Sequence, residues 1–408
     1  MNNVQNLSQF AFFVNDKILS EELTLDEYVT TDNLLQDKQG KVRADSLPAQ
    51  SSNVTKYSKG DILLSNIRPY LKKIWYADTA GGCSADVLVL RAFPHIEPRF
   101  LYYVLLRDDF FNHVMRGSKG TKMPRGDKSH IMDFVVPNFT LQKQSKISNL
   151  LTLLDTKIAL NNRINSELEE MAKTLYDYWF VQFDFPDANG KPYKTSGGKM
   201  VYNPTLKRDI PEGWEDGTLD DLGKIVGGST PSTTQSENFA DRGTPWITPN
   251  DLSENQDSKF ISRGATDVSE AGIKSASLKK YPSGTVLLSS RAPIGYMAIA
   301  RNEVTTNQGF KSFISSKGYS TEFVYFSVKN SLKAIIQYSS GSTFKEVSGT
   351  VLKTVKVVLP EQSAVNKFTK KVACIFERQD KLEQENQQFV ELRDWLLPML
   401  MNGQVTVK

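Results

Sequence analysis

Two stretches of the chain carry the same order of polar and apolar positions. "KMPRGDKSHIMDFVVPNFTLQ" (Lys122 to Gln142) and "FKEVSGTVLKTVKVVLPEQ" (Phe344 to Gln362) each pass from a basic polar loop into a β-branched apolar run, then a proline, then a glutamine-bearing helix start. Upstream, "YSKGDILLSNIRPYLKKIWYADTAGG" from Tyr57 matches "YPSGTVLLSSRAPIGYMAIARNEVTT" from Tyr281. Both open Tyr-x-x-Gly, run through a short apolar strand ending Leu-Ser, and place an arginine close to a proline before a second strand. Gly60 falls on Gly284, Leu64 on Leu288 and Ser65 on Ser289. "PRFLYYVLL" pairs with "TEFVYFSVK" as helix, "RGSKGTKMPR" with "YSSGSTFKEV", and Pro137 with Pro360. Matches in one order identify a duplicated unit, far longer than a solenoid repeat.

After each proline the apolar period becomes three and four. In the second copy Val365, Phe368, Val372, Ile375, Gln379, Leu382, Asn386 and Phe389 form a heptad seam with two polar members. The first copy has Ile147, Leu151, Leu154 and Ile158, a polar break "NNR", then Ile164, Leu168, Met171 and Leu175. Neither stripe can be buried alone. The pattern therefore predicts a mixed α+β chain: two duplicated α/β modules separated by two long antiparallel helices that form a coiled coil, with Gln379 and Asn386 fixing register. The expected boundaries are a module over 1–140, a helix over 141–183, an exposed Gly/Pro/Asn-rich linker over 184–210, a module over 211–361 and a helix over 362–408.

Composition narrows the class. The chain has 408 residues, 39% hydrophobic and 24% charged, enough for two or three soluble domains without disulfides. Cys83 and Cys374 match no metal or redox spacing; each reads as a small buried apolar group in a reducing compartment. The opening "MNNVQNLSQFAFFVNDK" lacks the basic start and long apolar core of a secretory signal. No apolar run approaches the roughly 20 residues that span a bilayer. A cytoplasmic protein with no membrane partner is expected.

The net charge is only +4, but it is concentrated. "RGSKGTKMPRGDK", Arg116 to Lys128, sets its basic residues against the single acid Asp127, as a surface for anions requires. Catalytic signals are missing. His95, His113 and His130 have no ligand spacing, and neither a nucleophile elbow nor a Walker loop occurs. "IVGGSTP" lacks a phosphate-holding lysine and reads as a tight turn. No adenine-methyltransferase Asn-Pro-Pro-aromatic motif is found, and the acid-to-lysine pattern in "PDANGK" falls in the linker. The sequence favours a non-catalytic binding protein with no cofactor or metal of its own.

Backbone amides with Ser, Thr, Lys and Arg hold phosphates, whereas Arg or Lys reads guanine and Gln or Asn reads adenine in the major groove. The candidate DNA-binding residues are Arg68, Lys72, Lys73, Ser118, Lys119, Thr121, Lys122, Arg125 and Lys128 in the first module. In the second they are Ser229, Thr230, Ser290, Arg291, Gln308, Ser342, Thr343 and Lys345. Two related but unequal modules would read two unequal half-sites of one duplex. Tyr176, Tyr178, Trp179 and Phe180, like Trp395, Leu396, Leu397 and Met399, read as packed helix ends or partner contacts rather than base-stacking platforms.

These features resemble the specificity subunits of type I restriction–modification systems over nearly the whole chain. The resemblance is carried by "IPEGWEDGTLDDLGKIVGGSTP", "SSGSTFKEVSGTVLKTVKVVLP" and "ELRDWLLPMLMNGQV", and in the first half by "YSKGDILLSNIRPYLKK", "CSADVLVLR" and "LLDTKIALNNRINSELEEMAKTLYDYWF". It implies two target-recognition domains that bind a bipartite double-stranded DNA site. The helices between them would set the spacer and dock two modification subunits that methylate adenine. Restriction (motor) subunits would join for cleavage. S-adenosylmethionine, ATP and Mg²⁺ would belong to those partners. One departure is that the first module lacks the opening seen at Trp214 to Gly223; it starts instead with "ILSEELTLDEYVTTDNLLQDKQG", so its early residues have no evident counterpart.

Overall fold

The computed structural model describes residues 4–49, 51–256, 258–339 and 346–407. The chain divides into two compact units: Met1–Ala159 with Gln387–Lys408, and Leu160–Asn386. Each contains mixed sheets, short helices and part of both long helices.

The apolar runs "ILLS" and "VLLS" are continuous because each strand is covered on both faces. In Ile62–Ser65, Ile62 and Leu64 point into a core shared with helices, while Leu63 points into a second core with Tyr57 and Trp75. In Val286–Leu288, Val286 and Leu288 join the helix-side core and Leu287 the opposite one. The tight turn before each strand needs positive φ, +93° at Gly60 and +83° at Gly284, which glycine adopts without Cβ strain. The main sheets agree in order. The first runs 11–13, 87–92, 62–65, 74–76, and the second runs 223–227, 311–315, 286–288, 297–300 with 260–261 added at the edge. Each unit also joins its opening strand antiparallel to the strand before its long helix, Val4–Asn6 with Val135–Pro137 and Glu215–Thr218 with Lys356–Leu359.

That pairing supplies the counterpart missing from the first module's sequence. Strand Val4–Asn6, the turn Leu7–Gln9 and strand Ala11–Phe13 occupy the places of Glu215–Thr218, Leu219–Leu222 and Gly223–Gly227. Leu7 and Leu219 are both fully buried, and their amides donate to Phe134 and Val355. Trp214 itself packs on Phe180, Phe183 and Phe185 in the second unit.

The units diverge in their smaller sheets. Both contain a parallel pair, Tyr28–Val29 with Gly81–Cys83 and Thr244–Ile247 with Thr305–Thr306. In the first unit Asn53–Tyr57 extends this pair on the Gly81–Cys83 side; in the second, Thr266–Val268 extends it on the Thr244–Ile247 side.

The long helices are Leu141–Tyr176, continued by a π-helical turn Asp177–Val181, and Gln362–Met401. At 36 and 40 residues they are about 54 and 60 Å long. They run antiparallel within each unit. In the first unit Asp155 pairs with Arg393 at 3.0 Å. In the second, Asn161 donates to Glu385, Asn386 to Asn162 and Gln379 to the Asn165 carbonyl, and Tyr176 meets Phe368. Their ends also complete the module cores: Ile147, Leu151, Leu397 and Leu400 in the first, Tyr176, Trp179, Val365 and Phe368 in the second.

Several expectations need correction. The heptad frame is not broken at "NNR": Asn161 and Asn165 are buried in the seam, whereas Ile164 and Leu168 are half-buried and Met171 is exposed. Hydrogen-bond partners on the opposite helix allow the frame to continue through polar residues. Cys374 is exposed, since Val372 and Phe376 take the inward positions beside it. The stretch 184–210 is a folded segment. Its Gly, Pro and Asn residues serve the turns around a hairpin of Met200–Asn203 and Arg208–Pro211, and Phe185 stacks on Tyr193 and Trp214. Tyr176, Trp179 and Phe180 are core residues, while Tyr178 and Trp395 are exposed.

In the second unit a buried ionic cluster fastens the module to both helices. Lys259 lies 2.5 Å from Glu169 on the first helix and donates to Gln379 on the second at 2.6 Å. Glu383 accepts the amides of Lys259 and Phe260 at 2.7 and 3.1 Å and pairs with Arg301 at 2.7 Å. Lys329 adds a second cation beside Glu169, and Arg301 also reaches Asp380. Burial pushes Glu383 up to about 7 and pulls Lys259 down. Burial opposes ionisation of Glu169, but the two ammonium groups hold it below the usual carboxylate value.

Candidate nucleic-acid interface

In the first unit the turn after Ile62–Ser65 contains a single 3₁₀ turn, Pro69–Leu71, flanked by Arg68 and Lys72 at φ +51° and +50°. Left-handed backbone is unfavourable for residues with a Cβ, by roughly 1–2 kcal/mol each. Hydrogen bonds offset it: the amides of Asp37 and Lys38 donate to the carbonyls of Leu71 and Lys72, both at 3.0 Å.

This turn is fused to the basic loop. Arg68 donates its amide to the Pro124 carbonyl at 2.8 Å, and Gly126 donates to Asn66 at 3.1 Å. Lys119 and Arg125 exchange amide hydrogen bonds at 3.0 and 2.9 Å, closing a small loop with Thr121, Lys122 and Met123 exposed. Arg125 is held at 3.0 Å from Asp86, Lys119 at 3.1 Å from Asp127, and Lys72 at 2.9 Å from Asp108. Lys128 lies over the Phe13 ring, 5.5 Å from its centroid. Arg68, Lys72, Lys119, Thr121, Lys122 and Arg125 thus sit on two joined loops. Lys73 and Ser118 are committed inward: Lys73 donates to the Thr31 carbonyl and burial lowers its pKa, and the Ser118 hydroxyl donates to Met115.

The second unit repeats the junction. The carbonyl of Ser290 accepts the Val347 amide at 3.0 Å, and Arg291 lies 3.9 Å from Glu346. A third loop joins here. The Ser290 amide donates to Gly309 at 2.8 Å, Ser229 donates to Thr306 at 3.0 Å, and the Thr230 hydroxyl bonds the Gln308 side chain. A Cβ on Gly228 would stand 2.1 Å from the Thr306 carbonyl oxygen, so "IVGGSTP" permits close loop approach rather than phosphate binding. Ser229, Thr230, Arg291 and Gln308 are therefore brought together. The Ser290 side chain is fully buried and removed from this surface. Ser342, Thr343 and Lys345 lie outside the described residues. The sequence reading missed Lys311, half-buried beside Gly227 and Gly349, whose only signal is a lone lysine in "QGFKSFIS". Among the described residues, no group of three or more His, Cys, Asp or Glu could hold a metal ion.

A family model described as the type I restriction modification DNA specificity domain matches residues 26–170 and 211–392. The chain belongs to this family. The specificity-domain matches take in most of each module and most of the long helix after it. The chain is 28% identical to the HindI specificity subunit of Haemophilus influenzae, over 88% of this chain and 89% of that one. It is 43% identical over 161 residues to the MjaIX specificity subunit of Methanocaldococcus jannaschii, covering 39% of this chain and 37% of that relative. It shares the fold of the type I restriction–modification S subunit from M. genitalium, with a TM-score of 0.59 at 15% identity over 98% and 96% of the two chains. Membership makes this chain a specificity subunit of a type I restriction–modification system. No helix among its described residues is long and apolar enough to cross a membrane.

Proposed function

We propose that each unit reads one half of a bipartite DNA target and that the paired helices set the spacer. The observation that carries this reading is the loop junction present in both units. Each presents an arginine, Arg68 or Arg291, beside the segment leading to the long helix. The side chains around the two arginines differ, with lysines in one and Ser229, Thr230 and Gln308 in the other, so the half-sites would differ. A scaffold that never met DNA would have no use for this repeated display. The chain itself does no chemistry. Two modification subunits dock on the helices and carry S-adenosylmethionine, and motor subunits bring ATP, Mg²⁺ and cleavage. The assembly works in the cytoplasm.

Spacer control is tested by lengthening the rod. Asn161 is buried and bonded to Glu385, so an insertion in one helix alone would break the pairing. Four residues are therefore added to both helices, after Asn162 and before Glu385, which leaves the Asn161–Glu385 and Asn162–Asn386 pairs on one side of the insertion. This lengthens the pair by about 6 Å, equal to one or two base pairs at about 3.4 Å each. Mapping of methylated adenines should show both half-sites unchanged and the spacer one or two base pairs longer. Full methylation at the original spacing would remove the ruler role.

A further inference from the structure

We propose that Tyr70 and Met123 form an apolar contact on the DNA-facing loops of the first unit and take part in choosing its half-site. The inference rests on the proposed DNA reading and adds two residues that carry no charge. Tyr70 is 49% exposed and Met123 48% exposed. Their loops are joined through the backbone between Arg68 and Pro124. Exposed large apolar side chains are usually scattered, but these two stand among Arg68, Lys72, Lys119, Lys122 and Arg125.

The backbone beneath Tyr70 is unusually fixed. It occupies the middle of the Pro69–Leu71 turn, between two left-handed residues, with amides from Asp37 and Lys38 holding the exit side and the Pro124 carbonyl holding the entry side. The ring itself makes no hydrogen bond or ring contact with another described residue. Strained backbone that holds a side chain in solvent is a feature of ligand clamps. A rigid aromatic contact also loses little conformational entropy on binding.

Charge complementarity selects the occupant. The surrounding cations suit two phosphate strands, and an apolar group between them meets the base edges, where a thymine methyl or an exposed base face is the matching surface. Lysines position the duplex without regard to sequence, whereas an apolar base contact distinguishes one sequence from another. In the second unit the equivalent turn carries Ala292 at φ +54° and half-buried Ile294 in place of an exposed tyrosine. Among the described residues, the exposed aromatic side chain at this turn belongs to the first unit.

The test uses the full chain assembled with its modification subunits. One duplex carries the target mapped from adenine methylation, and a second has a scrambled sequence. Tyr70→Ala and Met123→Ala should each weaken binding to the target about tenfold, the size of one lost base contact, while binding to the scrambled duplex and the salt slope stay unchanged. Tyr70→Phe, which keeps the ring, should bind like the parent. The methylation map of Tyr70→Ala should relax in the first half-site only. Equal weakening on both duplexes, or no weakening on either, would overturn the proposal. Lys122→Ala is the control for the underlying reading. If it weakens both duplexes while Tyr70→Ala and Met123→Ala do nothing, the DNA face stands and the apolar contact falls. If none of the three changes binding, the DNA face falls as well.

Discussion

Lys259→Ala should destabilise the second unit by about 3–5 kcal/mol, the usual consequence of deleting one partner of a buried ion pair. The side chain is 5% exposed, and its ammonium lies 2.5 Å from Glu169 and 3.8 Å from the centroid of the Phe376 ring. Without it, Glu169 keeps the half-buried Lys329 and the Tyr325 hydroxyl, and Gln379 loses a donor. Hydrogen exchange is the direct readout. Amides of Phe260–Ile261 and Met297–Ala300 should exchange on the order of a hundredfold faster or more, while Ile62–Ser65 in the first unit stays protected. A double change, Lys259→Met with Glu169→Gln, should cost less than the two single changes together, because the buried ammonium and its carboxylate go together and only the half-exposed Lys329 loses its partner. Unchanged exchange in Lys259→Ala would show that packing alone holds this module to the helices.

Removing the exposed charge of the basic loop should have a comparably large effect on DNA. Lys119, Lys122 and Lys128 are exposed and form no part of a core. Replacing all three by alanine leaves Arg125 paired with Asp86 and the Lys119–Arg125 backbone bonds in place. If each neutralises one phosphate, the logarithmic salt slope should fall by about 2.7, and affinity near physiological salt should drop about a hundredfold. The loss should be the same on target and scrambled duplexes, since phosphate contacts carry no sequence. An unchanged salt slope would place the DNA elsewhere on the molecule.

Which of these features the sequence could reveal follows from how local each signal is. The duplicated module was legible because "DILLS" and "TVLLS" are apolar on both faces and each follows a glycine that needs positive φ. The paired helices were legible because their periodicity runs over ten turns. The frame between Ile158 and Ala172 was not, because Asn161 and Asn165 look like surface residues until Glu385 and Gln379 are placed opposite them. The opening strand Val4–Asn6 is three residues long and wholly exposed, so only its pairing with Val135–Pro137 reveals it. Lys259 stands in "QDSKFISR", which reads as a polar turn; its partners Glu169 and Gln379 are some hundred positions away in either direction. The arginines of the candidate interface are legible because each follows a Leu-Ser strand end and lies within two positions of a proline, Arg68 beside Pro69 and Arg291 two before Pro293. Ser290 was misplaced because the residue beside an exposed arginine need not share its exposure, and Tyr70 was passed over because an aromatic residue in a short turn normally packs inward.

The central claim is that the two units read separate half-sites, and replacement of one reader tests it most directly. The segment from Val4 to Pro137 is exchanged for the matching segment of another specificity-family member, leaving both long helices intact. Methylated adenines are then mapped across a genome carrying the chimaera and its modification subunits. The account predicts a target with one new half-site, the other half-site retained and the spacer unchanged. A target altered in both half-sites, or one not altered at all, would contradict it.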